Sequence, residues 1–149
     1  MQRVPASLPA ARLIDTEWPD FGIAAEPPPW RVPLAVYQQR LDRLRARMER
    51  AGLTHLAVYG DREHFANLAW LTGFDPRFEE SLLVLGPAEK PLLLAGNECM
   101  GYLPASPLVQ ANQVEVRRYL PFSLPDQPQG ESSLLDGCAI DAHSKVGVA

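Results

Sequence analysis

The sequence predicts an α/β fold, a mixed sheet of about five strands flanked by helices. Three observations carry that expectation. Short apolar runs recur at His55–Tyr59, Ser81–Leu85, Pro91–Ala95 and Lys145–Ala149. One stretch, Leu34 to Met48, repeats its apolar residues at helical spacing. Between the first two runs, Asn67-Leu-Ala-Trp-Leu-Thr-Gly-Phe74 hands the chain from helix to sheet. Gly73 suits that turn because it takes positive φ without a Cβ clash.

Prolines divide the chain before the first element. Seven of the fifteen fall at or before Pro33, and none lies between Leu34 and Asp75. Residues 1–32 therefore read as an extended arm, punctuated by Trp18, Phe21 and Trp30. Such a segment builds no core alone, but its aromatics can dock onto one. The domain proper is residues 33–149.

Pro33 suits the first position of a helix, where its missing N–H costs nothing. Leu34, Tyr37, Leu41, Leu44 and Met48 then form one apolar face, and Gly52 ends the helix. Five arginines between Arg40 and Arg50 lie on the remaining faces, facing solvent. His55–Tyr59 is a short apolar strand of the kind covered on both faces. Asp61 is placed to cap the next helix, which carries Phe65, Leu68 and Trp70 inward. Ser81–Leu85 and Pro91–Ala95 make a hairpin through Gly86-Pro-Ala-Glu-Lys90. Asn97 caps a short helix that Pro104 cuts off. Gln113–Tyr119 alternates apolar and polar residues, as in a half-exposed strand. A proline- and glutamine-rich loop follows, then a helical turn at Glu131–Leu135. Lys145–Ala149 closes the chain on an apolar strand with no covering helix, which suggests a domain cut short.

Composition narrows the function classes. With 149 residues, 46% hydrophobic and 21% charged, the chain can bury a core as one globular domain. A net charge of −4 argues against nucleic acid or an anionic membrane as partner. No apolar run approaches the roughly 18 residues of a bilayer span, and the N-terminus lacks a signal-peptide core. Cys99 and Cys138 have no metal-ligand spacing, so a reducing, cytoplasmic setting is expected.

Chemistry is sparse. Gly60-Asp-Arg-Glu63 offers one glycine and two acids, the wrong set for a phosphate. No Gly-x-Ser-x-Gly elbow occurs, and nothing marks Cys99 or Cys138 as activated toward His143. Asp61, Glu63 and His64 are the nearest approach to a metal set, but Asp61 reads better as a cap. His55 opens a strand and carries no distinctive pattern. No catalytic residue and no metal ligand is expected in this chain. The loop Asp75-Pro-Arg-Phe-Glu-Glu80 is the one polar cluster with the look of a functional loop, mixing an aromatic with both charge signs.

A helix ending Met48-Glu-Arg-Ala-Gly-Leu53, a strand, Asn67-x-x-Trp-Leu-Thr-Gly-Phe74 and two Leu/Val strands follow one another. That order resembles the N-terminal domain of the creatinase, prolidase and aminopeptidase P metallopeptidases. The likeness runs from Tyr37 to Ala95 and returns at Lys145–Val148; Trp70 stands where the family usually has Tyr. It implies a ribonuclease H-like sheet, with the hairpin on one side of strand 55–59 and the later strands on the other. It implies a non-catalytic domain that serves dimerisation and shapes the substrate entrance of an Xaa-Pro aminopeptidase or prolidase-like hydrolase. The two divalent metals of that enzyme (Mn, Co or Zn) belong to a catalytic domain absent here. The implied partners are that domain, a second subunit in a homodimer, and a peptide substrate. Arg77 and Phe78 are the substrate-entrance candidates: the guanidinium for a carboxylate, the ring for an apolar side chain or a proline. A free-standing binding or assembly module of the same fold, or an unrelated α/β small-molecule binder, are the alternatives.

Overall fold

The computed structural model describes residues 14–15, 17, 31–77, 79–88, 90–123, 134 and 136–149. The chain divides into two units, residues 1–31 and 32–149. In the first, only Ile14, Asp15, Glu17 and Arg31 are described, so the expected aromatic arm and its docking lie outside the described residues. The Glu131–Leu135 turn also lies largely outside them.

In the second unit, helix α1 spans Leu34–Arg50. It buries Tyr37, Leu41 and Met48, as the spacing predicts, with Leu34 and Leu44 half-buried. Pro33 sits one residue earlier than expected, at the cap position, in extended conformation (φ −62°, ψ 148°). The other end is a Schellman closure. Gly52, at φ +66°, donates to Glu49 O at 2.9 Å, and Leu53 donates to Met48 O at 2.9 Å. Arg47 and Arg50 in the last turn complement the helix dipole.

Strand β1 (His55–Gly60) leads through a bend to α2 (Ala66–Thr72), then to strands β2 (Ser81–Leu85) and β3 (Leu92–Ala95). The short helix α3 (Pro107–Gln110), strand β4 (Glu115–Arg118) and strand β5 (Val146–Val148) complete the unit. The sheet order is β4-β3-β2-β1-β5. β1/β2 and β2/β3 are antiparallel, with Leu56 opposite Leu85 and Leu83 opposite Leu93. β5 runs parallel to β1, and β4 parallel to β3.

The placing of β4 differs from the expectation that both later strands flank β1. It lies beyond the hairpin instead, next to β3. A parallel neighbour needs a crossover of about a dozen residues or more, and segment 96–114 supplies one.

Side-chain alternation fills both faces. Leu56, Val58, Leu83, Leu85, Leu93 and Ala95 pack under α1, α2 and α3, joined by Leu68, Leu71, Phe74 and Leu108. Val84, Leu92 and Leu94 point the other way, onto Cys138 and the half-buried Tyr119, Phe122, Leu134 and Ile140. Among the described residues that second cover is a 3-10 turn (Leu120–Phe122), Leu134 and the 136–139 turn rather than an α-helix. β1 accordingly buries one face fully and the other, Ala57 and Tyr59, only in part.

Three local readings change. Asp61 caps the bend before α2, accepting from the Glu63 and His64 amides at 2.7 and 2.6 Å, because α2 begins only at Ala66. Trp70 faces outward, 51% exposed, because Leu68, Leu71 and Thr72 occupy the inward positions of this seven-residue helix. Its indole lies under the Arg40 guanidinium, 4.6 Å from the ring centre, and Arg40 Nη1 donates to Trp70 O at 2.6 Å. Asn97 precedes the 3-10 helix Glu98–Gly101 without a side-chain cap; its Oδ1 accepts from Arg118 at 3.3 Å.

Candidate functional site: the loop between α2 and β2

The loop begins where α2 stops. Gly73, at φ +71°, donates to Ala69 O, as expected of that residue. A Cβ there would meet Pro107 Cδ at 2.7 Å and the Tyr37 hydroxyl at 2.9 Å. Thr72 Oγ1 donates to Leu68 O at 2.7 Å and accepts from the Phe74 amide at 3.0 Å. Phe74 is buried in the core. The chain therefore leaves α2 in one fixed direction.

Asp75 and Pro76 start a tight turn. Asp75 Oδ1 accepts from the Arg77 amide at 2.8 Å, and the Glu79 amide donates to Pro76 O at 3.3 Å. Between them Arg77 adopts φ +65°. An L-residue with a full side chain pays about 1–2 kcal/mol for that conformation, so its surroundings must enforce it. The Arg77 side chain is exposed, and its Nε lies 3.7 Å from Asp75 Oδ2, a long contact between solvated groups. Phe78, the other entrance candidate, lies outside the described residues, so the structure brings only Arg77 to the site.

Glu79 is turned inward. It is 8% exposed, and its Oε2 accepts from the Cys99 amide at 2.7 Å. Burial pushes its carboxyl up, but hydrogen bonds from the Ser123 hydroxyl and from the Cys99 and Glu98 amides outweigh this and hold it below the usual range. This carboxylate, rather than Asn97, caps the 3-10 helix. Glu80 instead hydrogen-bonds Tyr59, whose hydroxyl is pushed up to about 12 by burial and by the Glu80 charge. Neither glutamate therefore pairs with Arg77.

Glu79 is the residue that sequence reasoning missed. The signal was its parity: it shares the alternation of Ser81, Leu83 and Leu85, all buried. Cys99 Sγ donates to Pro76 O at 2.8 Å, and its thiol is pushed up to about 12 by burial and by Glu79. That makes it a structural group rather than a nucleophile.

The remaining titratable groups do not converge. His64 Nδ1 lies 3.1 Å from Asp61 Oδ1, an exposed pair. Backbone donation from His64, more than the His64 ring, lowers the Asp61 carboxyl. His55 is buried, its Nδ1 2.9 Å from Thr54 Oγ1. His143 is exposed, its amide donating to Asp141 at 2.9 Å. Among the described residues no three His, Cys, Asp or Glu side chains are grouped to hold a metal ion. The donor set present thus does not fit the two-metal centre that the resemblance attaches to the catalytic domain. Among the described residues no helix is long and apolar enough to cross a membrane.

Comparison with known proteins places these elements. The structure is similar to dipeptidase PepE from Mycobacterium ulcerans at 26% identity, with a TM-score of 0.49. That likeness covers 60% of this chain and 24% of the dipeptidase. It is also similar to an Xaa-Pro aminopeptidase from Streptococcus pyogenes at 21% identity, with a TM-score of 0.45, covering 61% of this chain and 60% of that one. The chain therefore spans about a quarter of the first relative's length. No curated protein matches it. The Creatinase/Prolidase N-terminal domain matches residues 40–123, from α1 through β4 to the turn that follows it. More than half of the chain lies in that match, and the chain belongs to the creatinase/prolidase N-terminal domain family.

Proposed function

We propose that this chain is the non-catalytic N-terminal domain of an Xaa-Pro aminopeptidase or prolidase-like metallopeptidase. It packs on a catalytic domain, takes part in a homodimer and shapes the entrance through which a peptide substrate passes. The observation that carries this is the family match over residues 40–123. The two divalent metals and the hydrolytic step belong to the catalytic domain, and the setting is cytoplasmic. The free, buried state of Cys99 and Cys138 supports that setting.

Within this reading Arg77 is the entrance residue. Its guanidinium is exposed on a loop whose backbone is fixed on both sides. A planar fork of donors suits a peptide carboxylate. Two experiments test the proposal. The reading frame downstream of Ala149 should carry the two aspartates, one histidine and two glutamates of the metal centre. A stop codon there would favour a free-standing module. In the complete enzyme, Arg77→Ala should lower kcat/KM by about ten- to hundredfold, the value of a charged hydrogen bond. The melting temperature should barely move. Unchanged kinetics would make the loop structural.

A further inference from the structure

Three loops meet at one carboxylate. Glu79 accepts from the Cys99 amide at 2.7 Å and is bonded by the Glu98 amide and the Ser123 hydroxyl. Ser123 Oγ in turn accepts from the Asn97 amide at 2.5 Å. Gly96 leaves the space for this: a Cβ there would collide with Glu79 Oε2 and lie 2.9 Å from Ser123 Oγ. The Glu79 backbone closes the turn around Arg77 by donating to Pro76 O, whose other donor is Cys99 Sγ. The left-handed Arg77 thus lies between Pro76 and Glu79, and both of those residues are tied to Cys99.

We propose that Glu79 is the positioning residue of this site: its buried carboxylate, seated on the Glu98 and Cys99 amides and the Ser123 hydroxyl, holds Arg77 in the left-handed conformation that aims its guanidinium outward. The assignment rests on the reading of Arg77 as an entrance residue. A carboxylate that served only to cap Glu98–Gly101 would stabilise the fold without affecting the conformation of Arg77 or its use.

Two measurements separate these roles. The first uses this chain alone and reads amide exchange at Glu98 and Cys99, with the backbone scalar coupling and Cα shift of Arg77. Glu79→Gln should speed exchange at Cys99 by about tenfold or more, the loss of one charged hydrogen bond, and abolish the left-handed signature of Arg77. Gly96→Ala, which displaces the carboxylate while removing no hydrogen-bonding group, should do the same and serves if Glu79→Gln fails to fold. Persistence of the Arg77 signature in a folded variant overturns the proposal. The second is a double-mutant cycle in the complete enzyme. Glu79→Gln should lower kcat/KM in the same sense as Arg77→Ala, and the double variant should be no worse than Arg77→Ala. Fully additive losses would mean that Glu79 acts independently of Arg77, and would also overturn it. If Arg77→Ala alone is silent, the entrance reading fails, while the first measurement still decides what Glu79 holds.

Discussion

Gly73 shows how one residue sets the direction of the loop. Its positive φ is foreseeable from a helix-to-sheet turn, but the closeness of Tyr37 and Pro107 is not. Gly73→Ala meets both a left-handed backbone and two contacts under 3 Å, so chemical denaturation should show a loss of about 2 kcal/mol or more. Glu79 gives a pH signature of definite sign. Its folded carboxyl titrates below the unfolded value, so its contribution is fully present above the unfolded value and lost as pH falls through the folded one. The stability gap between the native chain and Glu79→Gln should therefore be widest near neutrality and narrow as pH falls below the unfolded carboxyl value, about 4.3. A gap that widens on acidification would contradict the assignment. The loop 75–80 stood out by its mix of charge and ring, and Arg77 became a candidate through the family resemblance. Its strained φ was not legible, because that depends on partners twenty residues away in sequence.

At the scale of elements, legibility followed length. Helix α1 has 17 residues, enough for five apolar positions at spacings of three and four to identify it. The hairpin strands announced themselves by apolar runs and a Gly-Pro loop. Helix α3 has only four residues, too few for any period, and it went unread. Its start was nonetheless written in Ser106-Pro107, a cap followed by a first-turn proline. Ser106 does two things at once: its Oγ accepts weakly from the Val109 amide at 3.4 Å and donates to Thr72 O at 2.5 Å. The residue is fully buried, so removing the hydroxyl strands the Thr72 carbonyl at the end of α2. Ser106→Ala should cost about 1–3 kcal/mol by denaturant titration, from the lost cap and the unsatisfied acceptor. A loss below a few tenths would mean that α3 is held by Leu108 packing alone. Trp70 was misread at this scale, since a seven-residue helix offers too little pattern to orient a residue two positions from Leu68.

The whole molecule explains why chemistry was hard to find in the sequence. Strand order is a long-range property: nothing in Gln113–Tyr119 itself says that it pairs with β3 rather than beyond β1. The same sheet fills both faces largely with leucine and valine side chains, and among the described residues no three His, Cys, Asp or Glu side chains are grouped to hold a metal ion. A two-metal carboxylate centre needs several Asp, Glu and His side chains converging on one cavity. Among the described residues the nearest approach is the Asp61–His64 pair, which supplies two donors that already face each other, with Asp61 also engaged by two amides. Two exposed donors give weak, fluxional coordination rather than a site. Titration of this chain with Mn²⁺ or Co²⁺ in a calorimeter should therefore show no stoichiometric uptake at micromolar concentration, and Xaa-Pro peptides should remain intact in its presence. Asp61→Asn should leave both results unchanged while loosening the bend before α2. One-to-one metal uptake with turnover would place a catalytic centre in this domain and overturn the assignment of hydrolysis to a separate one. Uptake without turnover, abolished by Asp61→Asn, would instead make the Asp61–His64 bend a metal site in its own right.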